Sequence, residues 1–393
     1  MQKLAAEFFA GIGLMRMGLD GEGWTTVWAN DFDEKKWEIY RANFNDDAGV
    51  FVLDDVHKVN GKDIPDIHLA TASFPCNDLS LAGARHGLAG TQSSAFWGFT
   101  DVIKGMGRRR PPLVLLENVP GFLTSNDGND FRDALLALNE LGYVVDAFVV
   151  DAVRFVPQSR QRLFVVGSQS KPDRLQETSA LLLQSDVRPA ALADFIFMNP
   201  EIDWSIRSLP SLPLSSSRLQ DILEDVPLNS ELWWSRERCD YLMNQMSDKH
   251  RSEADQMIAG LKWSYGTVFR RVRNGRSMGE LRTDGIAGCL RTPRGGSGRQ
   301  ILFCGGHGQC RVRLLTPREC ARLMGADGYK INVPMNQALF GFGDAVCVPV
   351  IRWIARHYLN PVFGEICDAP EALPSNRDHI RHSIPRRAAK AKP

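Results

Sequence analysis

Short apolar runs alternate with amphipathic stretches through the first 170 residues of the chain. LAAEFFA (4–10), TTVWAN (25–30), IHLATAS (67–73), PLVLLEN (112–118), VVDAFVVDA (144–152) and RLFVVGS (162–168) are apolar enough to predict buried strands. Between them, EKKWEIYRANF (34–44) and NDFRDALLALNELG (129–142) place apolar residues at helical spacing. Gly142 stands where a glycine ending a helix belongs. This alternation predicts an α/β fold, a mostly parallel sheet with helices on both faces. Ligands of such sheets bind outside the carboxyl ends of the strands, so candidate chemistry is sought there.

After residue 170 the pattern breaks. Residues 171–312 are rich in Ser, Pro, Gly and Arg, with short irregular apolar runs, and are expected to form a second, smaller domain with little regular structure. Periodicity returns at LTPRECARLMGA (315–326), a helix with Thr316 as N-cap and Pro317 in its first position. A further helix is expected over DAVCVPVIRWIARHYL (344–359). The division read from the chain is therefore 1–170, 171–312, a return to the first domain over 313–365, and a basic tail, 366–393, expected to be disordered.

Composition narrows the class. Of 393 residues 44% are hydrophobic and 24% charged, as in packed globular proteins. No continuous apolar run approaches the roughly 18 residues that cross a bilayer, and MQKLAAEFFAGIG lacks the layout of a secretion signal. The eight cysteines (Cys76, Cys239, Cys289, Cys304, Cys310, Cys320, Cys347, Cys367) show no CxxC or Cys/His metal spacing. They are expected to be reduced thiols in a cytoplasmic protein, with no metal site. The net charge of +1 decides nothing, but its distribution does. Lys262, Arg270, Arg271, Arg273, Arg276, Arg282, Arg291, Arg294, Arg299, Arg311 and Arg313 face only Glu280 and Asp284 between Leu261 and Arg313. Arginine matches phosphates and guanine edges with two donors, so this stretch points to nucleic acid.

Four motifs carry candidate chemistry. FAGIG (9–13) follows the first strand and suits a backbone turn that approaches a cofactor. Asp31, about 20 residues on, fits a carboxylate on a ribose, and NAD stays open at this point. PCNDLS (75–80) sets Cys76 at a strand end before the polar loop SLAGARHGLAGTQSSAF (80–96), a setting for a nucleophilic thiol. ENV (117–119) ends another strand in a carboxyl group. QSRQR (158–162) puts Gln158, Arg160 and Arg162 on one face if that segment is extended, with Glu117 an available partner.

In this order and spacing FAGIG, NDFD (30–33), LDDV (53–56), PCNDLS, ENV, QSRQR, LTPRECARLMG and GDAVCVPV (343–350) resemble the signature motifs of cytosine-C5 DNA methyltransferases of the bacterial and phage type. The resemblance spans residues 3–170 and 312–360. It implies a Rossmann-like methyltransferase sheet with a smaller target-recognition domain, S-adenosyl-L-methionine as methyl donor and double-stranded DNA as partner. It also implies a monomer, with a cognate restriction endonuclease as a functional companion.

By the same resemblance Cys76 is the nucleophile, adding to C6 of a flipped-out cytosine so that C5 becomes a carbanion equivalent. Glu117 serves N3 as an acid, Arg162 serves O2, and Arg160 stabilises the site. Phe9, Ala10, Gly11, Ile12 and Gly13 form the turn under the methionine part of the donor. Asp31 binds the ribose, Phe32 lies on the adenine face, and Asp55 and Val56 hold the adenine edge. Pro75 borders the sulfonium, and Gly343 and Asp344 close the site. DNA contacts fall to Ser80, Gln158, Arg291, Arg294 and Arg299, the last three in LRTPRGGSGRQ (290–300).

The chain also departs from the family pattern. Glu7-Phe8 stands for Asp-Leu, Leu14 for a glycine, Asn77-Asp78-Leu79 for Gln-x-Phe, GTQS (90–93) for an Asp-Ser-Arg-Gly-like run, and Asp344 for Asn. Two competing readings are an RNA cytosine methyltransferase of the same fold and a non-catalytic DNA-binding regulator. The first calls for a Cys-Phe-Thr run that is missing, and Cys76 with Glu117 argues against the second. An NAD enzyme has no use for PCNDLS together with ENV and QSRQR.

Overall fold

The computed structural model describes residues 2–44, 49–74, 94–169, 179–273, 275–292 and 298–368. Pro75, Cys76, Ser80, Arg294, the loop after Cys76 and the tail from 369 lie outside the described residues.

The first half builds β1 (Lys3–Phe8), α1 (Leu14–Asp20), β2 (Trp24–Asp31), α2 (Glu34–Phe44), β3 (Phe51–Leu53), β4 (Leu69–Ala72), α3 (Ser94–Gly105), β5 (Leu113–Asn118), α4 (Asn129–Glu140), β6 (Val144–Asp151) and β7 (Gln161–Ser168). One seven-stranded sheet results, in the order β3-β2-β1-β4-β5-β7-β6. The first five strands in that order pair in parallel, and β7 runs antiparallel between β5 and β6.

Alternation along each strand divides the core in two. Leu113 and Leu115 of β5 and Phe164 and Val166 of β7 face one cluster, with Leu14 and Leu19 of α1. Val114, Leu116, Leu163 and Val165 face the other, with Phe99 and Ile103 of α3 and Leu135 and Leu138 of α4. Both faces are covered, which is why the strands read as unbroken apolar runs. Gly142 follows α4 with φ +85°, as its position in the sequence predicts.

The middle region is more regular than its composition suggests. It contains α5 (Ala180–Leu183), α6 (Ala190–Met198), α7 (Arg236–Met243), α8 (Asp248–Ala259), β8 (Ser264–Arg273), β9 (Arg276–Arg282), β10 (Ile301–Gly306) and β11 (Gln309–Leu314). The last four form an antiparallel sheet, β11-β10-β8-β9, over a small core that includes Leu242, Met243, Val268, Phe303 and Val312. Only part of β8 is covered: Gly266 to Val268 are buried, whereas Arg271 to Arg273 are exposed, and this arginine-rich end hides the strand from a search for apolar runs. Residues 179–206 are layered on the first sheet. Leu192 and Ile196 join its core, Ser205 N–H donates to Val145 O (2.8 Å), and Arg188 grips the fully buried Asp146.

The chain then returns through α9 (Pro317–Leu323), α10 (Met335–Asp344), α11 (Val348–Ile354), one π-helical turn at 355–359 and α12 (Asn360–Asp368). Thr316 caps α9 in a reciprocal box with Glu319, whose carboxylate also holds Arg313 in a buried ion pair. The single helix expected over 344–359 is instead divided. Asp344 ends α10, and Pro349, which lacks an N–H, stands in the first turn of α11. Residues Met335–Asp368 together are long and apolar enough to cross a membrane, which the search for continuous runs overlooks. However, 72% of their most apolar window is buried within the protein, which makes them core helices.

Candidate active site

β1 ends in a turn whose backbone is unusual. Phe9 has φ +56°, Gly11 +56° and Gly13 +79°. A side chain at Gly13 would stand 2.3 Å from Phe44 and 2.8 Å from Tyr40, so glycine is required there for space as well as for its dihedral. A non-glycine residue such as Phe9 in this conformation stores local strain, which tends to gather at functional sites. The Gly11 N–H donates to Asp31 Oδ2 (2.9 Å) and the Asp33 N–H to Asp31 Oδ1 (3.0 Å). Burial pushes the Asp31 carboxyl up, against the opposing pull of Lys36 and these two N–H groups.

This turn forms the floor of a cavity of about 590 Å³. Of the residues singled out in the sequence, the cavity brings together Phe9, Ala10, Gly11, Ile12, Asp31, Phe32, Asp55, Val56, Glu117, Arg162, Gly343 and Asp344. Phe32 is 69% exposed, an aromatic face at the rim of the cavity. Asp55 accepts from the His57 N–H (2.9 Å) and pairs with its Nδ1 (2.8 Å), and these contacts hold the carboxyl below its usual range. Asn30 donates to the carbonyls of Val52 and Asp54 (2.9 and 2.8 Å) and so fixes the loop that carries Asp55.

Glu117 is the fifth residue of β5 and is 6% exposed. Its Oε1 lies 2.8 Å from Arg162 Nε, near the start of β7. The three polar residues of QSRQR do not share this place. Residues 156–160 are not strand, so alternation does not carry back from β7. Arg160, expected to stabilise the reacting site, is instead a buried clamp between two regions. It donates to Leu290 O (2.8 Å), Gly343 O (3.2 Å) and Ala345 O (2.6 Å) and does not line the cavity.

The DNA contact expected of Gln158 is corrected as well. The side chain is fully buried, its Nε2 donates to Leu323 O (2.7 Å), and its Oε1 accepts from the Leu290 N–H (2.9 Å). Of the arginines expected to read DNA, Arg291 is exposed beside Phe269, while Arg299 is half-buried and donates to Asn336 (2.8 Å).

The reading of the sequence passed over several lining residues. Glu7 is 2% exposed, with Oε1 accepting from the Arg16 N–H (3.3 Å) and no partner on Oε2 among the described residues, and burial pushes its carboxyl up to about 8. Lys36 reaches across from α2 to Asp344 (2.8 Å), whose other oxygen takes the Thr292 hydroxyl. Burial opposes the charge on Asp344, but Lys36 holds its carboxyl below the ordinary range. Ala95, Asn118 and Thr292 complete this part of the wall. Asn118 lies inside ENV and Thr292 inside LRTPRGGSGRQ, but neither is singled out in the sequence. Lys36 could have been found only by noticing that it stands in the first turn of the helix that follows Asp31.

The cavity thus joins a buried Glu–Arg pair to a glycine turn, a ribose-height carboxylate and an exposed aromatic rim. Its wall is acidic, with Asp31, Asp33, Asp54, Asp55 and Asp344, and this fits a nucleoside that carries a positively charged tail.

Comparison with known proteins agrees with this arrangement. The family model described as C-5 cytosine-specific DNA methylase matches residues 5–360. Among curated relatives, the type II methyltransferase M.HaeII of Haemophilus aegyptius is 28% identical over 90% of this chain and 92% of its own length. M.HhaI of Haemophilus parahaemolyticus is 27% identical over 89% of this chain and 92% of its own. Among solved structures, the Dnmt2 methyltransferase of S. pombe superposes with a TM-score of 0.61 at 20% identity, covering 92% of this chain and 99% of that one. At that identity the likeness speaks for the fold alone.

Proposed function

This chain belongs to the C-5 cytosine-specific DNA methylase family, and from that premise we propose that it transfers a methyl group from S-adenosyl-L-methionine to C5 of a flipped-out cytosine in a specific duplex sequence, through a covalent Cys76–C6 adduct. The observation that carries this reading is the single cavity lined both by the Glu117–Arg162 pair and by the turn with Asp31. A base in contact with the pair and a nucleoside cofactor on the turn would meet in one enclosed space.

The residues present fit that donor. The acidic wall suits its positive charges, the buried Glu7 Oε2 has no partner among the described residues, Asp31 lies at the strand end where a ribose is held, and Phe32 offers a ring to adenine. When bound, S-adenosylmethionine supplies an electrophilic methyl group on a sulfonium sulfur.

The protein's part is to make C5 reactive. The Cys76 thiolate adds to C6, and the electron pair released into the ring builds charge toward N3 and O2. Glu117 serves N3 as the general acid. Arg162, held by Glu117 and by its own donation to Gln161 O (2.8 Å), faces O2. After C5 is methylated, loss of its proton returns the electron pair, expels the thiolate and restores aromaticity.

Duplex DNA is the partner we assign to the arginine-rich face of the β8–β9 hairpin and the segment after it, as a monomer in the cytoplasm, with a cognate restriction endonuclease as its functional companion. Bisulfite sequencing of DNA from cells expressing the chain tests the proposal directly. Protected cytosines within one recurring sequence are expected. Uniform conversion, with the protein present and soluble, would refute it.

A further inference from the structure

The cavity wall is rich in carboxylates, yet the donor assigned to it carries a carboxylate of its own at the amino-acid end. An acidic wall welcomes the sulfonium and the ammonium of that ligand but repels its carboxylate unless a cation is provided. Among the described residues that line the cavity, the permanent cations are Lys36 and Arg162. Arg162 stands with Glu117 on the side assigned to the base. That leaves Lys36.

Lys36 stands in the first turn of α2, and its stem runs beside the glycine turn, with Cδ 4.0 Å from where a Cβ on Gly11 would lie. Its Nζ is 2.8 Å from Asp344 Oδ2, while Asp344 Oδ1 takes the Thr292 hydroxyl. The ammonium is therefore fixed between the turn after β1 and the end of α10. An ammonium has three donors, and Asp344 takes one of them.

We propose that Lys36 binds the α-carboxylate of the methyl donor, with Asp344 as the positioning residue that holds the ammonium at the cavity wall. The proposal rests on the reading of the donor as S-adenosylmethionine. It also accounts for a departure in the sequence: aspartate replaces the usual Asn at 344 because a lysine stands opposite it. An asparagine in that place would remove the carboxylate bonded to the lysine and leave it only the charges of Asp31 and Asp33.

Isothermal titration calorimetry on the full chain separates the possibilities. The probes are S-adenosylhomocysteine and its decarboxylated analogue, 5′-deoxy-5′-(3-aminopropylthio)adenosine, which differ only in the carboxylate. The unaltered protein is expected to prefer S-adenosylhomocysteine by about tenfold or more, the value of a charge-assisted hydrogen bond. Lys36→Met should bring that ratio close to one while leaving the analogue bound, and Lys36→Arg should restore most of it. Lys36→Gln replaces the methionine variant if the latter does not fold. A ratio unchanged in the uncharged variants, or equal binding of both probes by the unaltered protein, overturns the role of Lys36 and leaves the donor reading standing. Binding of neither probe by the unaltered protein overturns the donor reading, and this inference with it.

Discussion

Glu117 and Arg162 meet across two antiparallel strands, with Oε1 and Nε 2.8 Å apart, because the register of β5 against β7 sets Glu117 opposite Phe164. Arg162 lies two residues from Phe164 and so shares its face, a diagonal neighbour within reach of a long side chain. A shift of one residue would send the guanidinium to the opposite face of the sheet. The pair is nearly closed to solvent and lines the cavity.

Glu117→Gln removes the proton donor assigned to N3 while keeping its shape. Turnover on duplex DNA should fall by roughly 10²–10⁴-fold, the usual worth of general acid catalysis. Binding of S-adenosylhomocysteine should change little, since Glu117 is assigned to the base. Single-turnover methylation with parallel calorimetry checks both, and an unchanged rate would remove Glu117 from the reaction.

Cys76→Ala should abolish methylation and leave DNA affinity within a few-fold, as expected when only the nucleophile is lost. Trapping on duplex DNA carrying 5-fluorocytosine should yield a covalent adduct with the unaltered protein and none with the variant. Appreciable methylation by the variant would assign the nucleophile elsewhere.

Arg160→Met would leave the buried carbonyls of Leu290, Gly343 and Ala345 without their donor. Each orphaned group costs about 1–3 kcal/mol, so a loss of about 3 kcal/mol or more is expected in denaturant unfolding. A variant as stable as the parent would show that water replaces the guanidinium, and the clamp would then be incidental.

Glu7 gives the cofactor-free protein a pH dependence. Its ordinary value of 4.5 is pushed to about 8 by burial, so the folded state holds a proton that the unfolded state has released. The stability tied to that proton is complete below pH 4.5 and is lost as pH rises through about 8. Glu7→Gln should flatten the decline over this window, an effect on the order of a few kcal/mol. Parallel slopes for the two proteins in urea unfolding at several pH values would contradict it.

DNA affinity should fall steeply with salt. Arg271, Arg273 and Arg276 are exposed on the β8–β9 hairpin, and several phosphate contacts give a log–log slope of several units, about 0.9 per neutralised phosphate. Fluorescence anisotropy across a salt series measures the slope, and a flat response would rule out this face as the binding surface.

The sequence by itself determined the α/β fold, the strand ends where chemistry collects, and the collinear motifs that mark the family. These are local properties: buried parallel strands must be continuous apolar runs, a turn with φ above zero at Gly13 demands glycine, and the Thr316–Glu319 box announces the start of its helix. Only the tertiary structure decided which polar residues share a cavity. Gln158, Arg160 and Arg162 lie within five residues of one another, yet only the last reaches Glu117, because β7 begins at Gln161 and the chain before it follows no period. Lys36 and Asp344 are 308 positions apart, so their ion pair could not be read from either neighbourhood. The second sheet was hidden for a related reason. Two of its pairings are hairpins between neighbouring strands, but β8 carries arginines where its end emerges and its other edge pairs with the more distant β10, so periodicity is weak even though the sheet is regular.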